Sequence, residues 1–180
     1  MHFETDRLIL REWAPLADAQ QAFDIYSDPQ VTHWLDFPPD QSIHETQGRL
    51  QRYLSRSTGD ACILAILEKA IDRIIGTLVL VHLPGTDGEP MPEMEIGWHL
   101  RQSSWGYGYA TEAARPVAAH ALAQIPELYA VALPDNRRSV NVMKRLGMTE
   151  LGLTKKYHGG RELILYRVTA TEFQAAESSG

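Results

Sequence analysis

The chain has one cysteine among its 180 residues, no internal repeat, no surplus of positive charge and no apolar run of membrane length. Each absence excludes something. Cys62 cannot form an internal disulfide, and inside the apolar stretch 61–67 it reads as a small core residue of a reducing compartment rather than a nucleophile. No segment approaches the ~18 apolar residues of a membrane span, and the N-terminal MHFETDRLILREW lacks the shape of a signal peptide. The expectation is a cytoplasmic protein. A formal net charge of −6, from 17 Lys and Arg against 23 Asp and Glu, leaves no clustered basic footprint for nucleic acid. Seven histidines invite a metal, but His44-Glu45 lacks a second His four residues after the first and no other pair has ligand spacing, so none is expected. With 44% hydrophobic residues, the length suits one domain with a full core, placed at residues 1–176 and followed by a disordered tail at 177–180.

What the chain does have is the run 101–114, RQSSWGYGYATEAA. Gly106 and Gly108 let main-chain N–H groups approach an anion, and Ala110-Thr111-Glu112-Ala113-Ala114 starts a helix whose free N–H groups and dipole favour negative charge. This reads as a cradle for a pyrophosphate. A dinucleotide fingerprint would carry a third glycine where Thr111 stands, and a P-loop would need G-K-[ST], so neither pattern fits. The alternative is a glycine-rich turn that only caps the helix.

Periodicity organises the remainder. Residues 7–13 alternate as a first strand with Leu8 and Leu10 inward, and Pro15 opens a helix over 17–26 that Asp28-Pro29 ends. Ser42-Ile43-His44-Glu45 is a capping box for a helix to Leu54, and the aromatic and proline-rich 33–40 between these helices is either a packed loop or a site wall. Residues 61–67 and 74–82 form a hairpin, and 84–92 is a turn-rich connection into a fourth strand, 93–100, with Glu93, Glu95, Gly97 and His99 on one face. A helix to about Gln124 follows, with Pro116 predicting a kink near Glu112. Then come a fifth strand at 128–133, a helix at 137–146 closed by Gly147, and a last strand at 161–169.

Four stretches in this order, ETDRLILREW, GWHL, WGYGYATEA and PDNRRSVNVMKRLGM, make the chain resemble the GNAT superfamily of acetyl-CoA-dependent N-acetyltransferases, and within it the ribosomal-protein (Rim-type) branch. The resemblance implies a single-domain α/β fold whose strongly twisted mixed β-sheet, flanked by helices, splays between its fourth and fifth strands. It places the pantetheine arm of acetyl-CoA in that gap, bonded to Leu100 and Arg101, and the pyrophosphate on the amides of Gly106, Tyr107, Gly108, Tyr109, Ala110 and Thr111. Trp105 stands where many relatives open the loop with Gln or Arg, so the amides must suffice. Asn136 would contact the cofactor, and Ser139 would hydrogen-bond the sulfur or relay a proton in place of the tyrosine that many relatives carry where this chain has Met143. Asn136 is equally suited to cap its helix.

Acetyl transfer to an amine needs a neutral nitrogen, a polarised carbonyl and a proton for the departing thiolate. Glu95 is the expected general base, acting through water, with His99 as its alternative. An ion-paired carboxylate and a structural imidazole are the competing readings of the two. An α-amine, with a pKa near ~8 against ~10.4 for lysine, needs the least help. The expected acceptor is therefore a protein or peptide N-terminus. A polyamine or aminoglycoside would need an acidic pocket from Asp36, Asp40, Glu89 and Glu93. A non-catalytic acyl-CoA-binding module and a nicotinamide-dependent oxidoreductase are further alternatives, and the chain leaves room for a homodimer.

Overall fold

The computed structural model describes residues 1–35 and 37–178. Eight strands form one mixed sheet in the order β1-β2-β3-β4-β5-β6-β8-β7, comprising β1 (Phe3–Glu4), β2 (Leu8–Glu12), β3 (Cys62–Glu68), β4 (Arg73–Pro84), β5 (Pro90–Leu100), β6 (Glu127–Ala132), β7 (Thr149–Thr154) and β8 (Leu163–Thr169). Among the described residues, six α-helices accompany them: α1 (Ala19–Tyr26), α2 (Pro29–Thr32), α3 (Ile43–Arg56), α4 (Tyr109–Leu122), α5 (Arg137–Arg145) and α6 (Ala170–Ser178). The contacts cluster into two compact units. One holds Met1–Val79 and Trp98–Ala113, the other Leu80–Gly97 and the chain from Ala114 onward.

In the first unit, β2 buries Leu8 and Leu10 completely, as its alternation requires, and pairs antiparallel with β3. Trp13, Ala22, Ile25, Tyr26, Val31, Leu50, Ala65 and Ile74 form the core beneath α1 and α3. Helix α1 starts two residues later than the sequence suggests. The Asp18 carboxylate accepts from both Arg11 guanidinium ends (2.7 and 2.9 Å) and from the Ala14 N–H (2.7 Å), which closes residues 14–18 into a turn that keeps Pro15 outside the helix. Asp28 ends α1 and also begins α2, accepting from Gln30 N–H. The capping box of α3 forms with an offset. Ser42 Oγ accepts from Glu45 N–H at 3.2 Å, while Glu45 reaches back to the N–H of Gln41 at 2.8 Å.

In the second unit, β6 lies antiparallel to β8 over its whole length, and β8 carries β7 on its other side. The β7 register shifts between Glu150 and Gly152. Helix α4 runs through Pro116 as one helix. Helix α5 ends in a Schellman motif: Met148 N–H donates to Met143 C=O and Gly147 N–H to Lys144 C=O, both at 3.1 Å, with Gly147 at φ 74°. Three expectations are corrected. The connection assigned to 84–92 shrinks to a turn, because β4 extends to Pro84 and β5 starts at Pro90. Thr149–Thr154 is a strand. Glu177 and Ser178 belong to α6, with Glu177 paired to Arg115 at 3.1 Å, whereas the last two residues of the expected tail lie outside the described residues.

Candidate active site

In the first unit, the turn from β5 into α4 is built on two glycines. Gly106 and Gly108 adopt φ 86° and 82°, a left-handed region that L side chains enter only with strain. The first helical bond of α4 runs from Glu112 N–H to Gly108 C=O. Among the described residues, none of the six N–H groups from Gly106 to Thr111 donates to a protein acceptor. A side chain added at Gly106 would meet nothing within 4 Å, and one at Gly108 would meet Arg7 Nη2 at 3.7 Å, so the space beside Gly106 is open. Thr111, buried in the first turn, has a hydroxyl with no partner, a loss that a bound oxyanion would repair. The sequence thus folds into a turn with left-handed glycines and unengaged amides ahead of α4.

Two side chains fasten this cradle. The Trp105 indole donates to Leu100 C=O at 2.8 Å and packs against the first unit's core. Arg7 on the lead into β2 donates through Nε to Glu112 Oε2 (2.6 Å) and through Nη1 to Tyr107 C=O (3.1 Å), with its guanidinium 4.5 Å from the centre of the Tyr109 ring. Glu112 also accepts from Thr5 Oγ1 at 2.6 Å and from Arg7 N–H at 3.0 Å. Burial alone would raise the Glu112 carboxyl, but these donors outweigh it and hold the group below its ordinary value. Sequence reasoning missed this role of Arg7. At Arg101, the N–H donates to Ile75 C=O (2.8 Å) and the C=O accepts from Ser104 N–H (3.0 Å), which leaves that oxygen a second lone pair.

In the second unit, β5 and β6 run parallel and are in register at one pair, Glu95 opposite Tyr129. Beyond it, Ile96 and Gly97 have no partner on β6, which is where the resemblance puts the splay. Glu95 is buried, and its Oε2 lies 3.2 Å from His158 Nε2. Glu93 accepts from Lys156 Nζ and, at 3.2 Å, from the Tyr157 hydroxyl, and the Lys156 ammonium holds its carboxyl below the ordinary range. Burial, then Glu127, pushes the Tyr129 phenol up to about 12. Its proton stays on and is donated to Glu127. Asn136 caps α5, accepting from Ser139 N–H at 3.2 Å through its side-chain oxygen. No hydrogen bond of the Ser139 hydroxyl occurs among the described residues. Met143 is core and offers no proton.

His99 does not suit the role of base. Its Nε2 is 2.9 Å from the Tyr26 hydroxyl, which also meets Thr77 Oγ1 at 2.7 Å, and burial with the nearby Arg49 charge lowers its pKa to about 3. Asp40 does not serve an acidic pocket either. It is buried, accepting from Thr46 Oγ1 (2.8 Å) and from Arg49 through Nε (3.1 Å) and Nη2. Asp36 lies outside the described residues. Cys62 is buried and its thiol is raised to about 11, which leaves it inert as a nucleophile. No group of three or more potential metal-ligating side chains occurs among the described residues. No described helix is long and apolar enough to cross a membrane.

Comparison with known proteins gives the family of this fold and cradle. The acetyltransferase (GNAT) domain model matches residues 7–149, and the chain belongs to that family. It is therefore an acyltransferase, an N-acetyltransferase of the class that draws its acetyl group from acetyl-CoA. A Bacillus licheniformis protein named uncharacterized N-acetyltransferase p20 is 28% identical over 164 residues, covering 89% of each chain. An acetyltransferase structure from Agrobacterium tumefaciens is 28% identical with a TM-score of 0.76, covering 93% of this chain and 94% of its own. The ribosomal-protein-S5-alanine acetyltransferase of Vibrio fischeri shares the fold at 20% identity, with a TM-score of 0.72 over 96% of this chain and 98% of its own.

Proposed function

We propose that the chain transfers the acetyl group of acetyl-CoA to a single α-amine at the N-terminus of a protein or peptide, with Glu95 as general base and Ser139 on the thiolate side. The observation that carries the acetyl-CoA part is the run of six unengaged amides from Gly106 to Thr111, with the unpartnered Thr111 hydroxyl beside it. These groups fit a pyrophosphate by number, charge preference and open space. Leu100 N–H extends the same cofactor contact along β5, and Asn136, whose side-chain oxygen is engaged in capping, has its amide nitrogen for the cofactor.

The acceptor assignment rests on how the acidic groups are used. A polyamine or aminoglycoside would call for several carboxylates free to meet several ammonium groups. Asp40 is instead locked to Arg49 and Glu93 to Lys156, each carboxylate neutralised by a cation of its own unit. An acceptor with one amine needs no such array. The chemistry supplied by bound acetyl-CoA is an activated thioester. Glu95 then takes the amine's proton, directly or through one water, as the nitrogen attacks, and Ser139 hydrogen-bonds the departing sulfur or relays to it a proton that water returns to the hydroxyl.

Acetyl-CoA-dependent thiol release against short peptides of varied N-terminus, polyamines and aminoglycosides tests this reading. Release with free-amine peptides, and none with the same peptides blocked at the N-terminus, is the expected result. Release confined to polyamines or aminoglycosides would move the acceptor to small molecules. Binding of acetyl-CoA without release to any acceptor would favour the acyl-CoA-binding module.

A further inference from the structure

The turn between β7 and β8 holds a histidine on the carboxylate assigned as base. His158 sits at φ 49°, a left-handed conformation uncommon for a side-chain-bearing residue, and Gly159 and Gly160 follow it at 69° and 80°. Three successive left-handed residues make a hook that turns the imidazole toward β5, with Nε2 at 3.2 Å from Glu95 Oε2. Such local strain persists only where the surroundings impose it.

Other members of the turn help to impose it. Lys156 and Tyr157 both bind Glu93, Tyr157 bridges to Gly85, and Gly159 N–H donates to Gly85 C=O at 3.3 Å. The turn is therefore fastened to β5 and to the β4–β5 turn by its other members. The bond from His158 to Glu95 also sets the carboxylate: Oε2 is engaged, and Oε1 has no protein donor among the described residues.

We propose that His158 is a positioning residue for acetyl transfer, donating its Nε2–H to Glu95 Oε2 so that Oε1 is the oxygen that receives the acceptor's proton. The inference rests on the reading of Glu95 as base. In this arrangement the amine proton passes to Oε1 and the imidazole keeps its Nε2 proton. Misplacing a catalytic group by about an ångström costs up to ~100-fold in rate, so a fixed rotamer matters even without a proton passing through the histidine.

The test is a double-mutant cycle on the full chain, with the peptide acceptor at saturation and acetyl-CoA affinity measured separately. His158→Ala should lower kcat about tenfold or more and leave the acetyl-CoA Kd within about twofold. His158→Gln, which keeps an N–H donor, should recover part of that loss. Glu95→Gln should lower kcat by about 100-fold, and adding His158→Ala to it should cost nothing further, because no base remains to be positioned. If Glu95→Gln leaves kcat unchanged, the base assignment falls and the inference with it. If Glu95→Gln is slow, the inference alone is overturned by a His158→Ala variant at full rate, or by one whose penalty persists undiminished in the double variant.

Discussion

Arg7 and Glu112 stand 105 residues apart in sequence and form one clamp, in which the guanidinium Nε and the backbone N–H of Arg7 both donate to the Glu112 carboxylate, at 2.6 and 3.0 Å. Because the same arginine holds Tyr107 C=O, the clamp fixes the cradle to β2. A carboxylate in the first turn of α4 already favours the helix, but near a pyrophosphate it needs its charge answered, and Arg7 answers it. Arg7→Met should therefore raise the KM for acetyl-CoA several-fold with little change in kcat. The half-exposed guanidinium limits the stability loss to about 1 kcal/mol. Equal acetyl-CoA KM values for variant and parent would remove the clamp from the account of binding.

Gly106→Ala separates the cradle's backbone from its ligand. The added methyl meets no protein atom, so without ligand the cost is the left-handed strain alone, ~1–2 kcal/mol. The methyl does project into the space assigned to phosphate. Acetyl-CoA affinity should fall by more than about tenfold while the unliganded melting temperature drops by only a few degrees. Unchanged affinity in calorimetry would contradict the assignment.

Acid stability should depend on His99. Its folded pKa of about 3 lies below the ordinary histidine value of 6.5, so the unfolded chain takes up a proton that the folded chain refuses. Its contribution is complete above pH 6.5 and is lost as pH falls toward 3, at about 1.4 kcal/mol per pH unit. His99→Gln, which has nothing to titrate, should lose less stability than the parent between pH 7 and 5 in urea melts. Parallel losses would show that His99 is not the group responsible.

Asp40 and Arg49 form a pair buried on both sides, with Arg49 also lying over the Phe37 ring at 3.6 Å. Asp40→Ala would leave the guanidinium uncompensated in the interior, at a cost of about 3 kcal/mol or more. Denaturant unfolding measures it. The outcome also bears on acceptor choice, since a small loss would mean the carboxylate had been available for other cations.

The parts of this molecule legible in sequence are those that local spacing specifies. Gly106 and Gly108 ahead of an alanine-rich helix, Ser42 three residues before Glu45, and alternating Leu8 and Leu10 each state their geometry within a few positions. Asn136 fulfils the cap its residue type suggests. What escaped depends on distant partners. The Leu-Gly-Leu of β7 lacks a buried face and becomes a strand through pairing with β8. Helix α6 has a weak apolar stripe and buries Phe173. His158 owes its place to a hook of backbone angles, and the engagement of Asp40 and Glu93 shows only when Arg49 and Lys156 are brought to them.

The register shift in β7 has a bearing on how molecules meet one another. This strand ends the sheet, with Leu151 and Leu153 exposed, and an outer rim of that composition invites a neighbouring chain to add a strand. The extra residue between Glu150 and Gly152 breaks the ladder in the middle of a six-residue strand and twists it away from a straight edge. An incoming strand would meet two short, misaligned stretches of backbone, a poorer template for strand addition than a straight edge would offer.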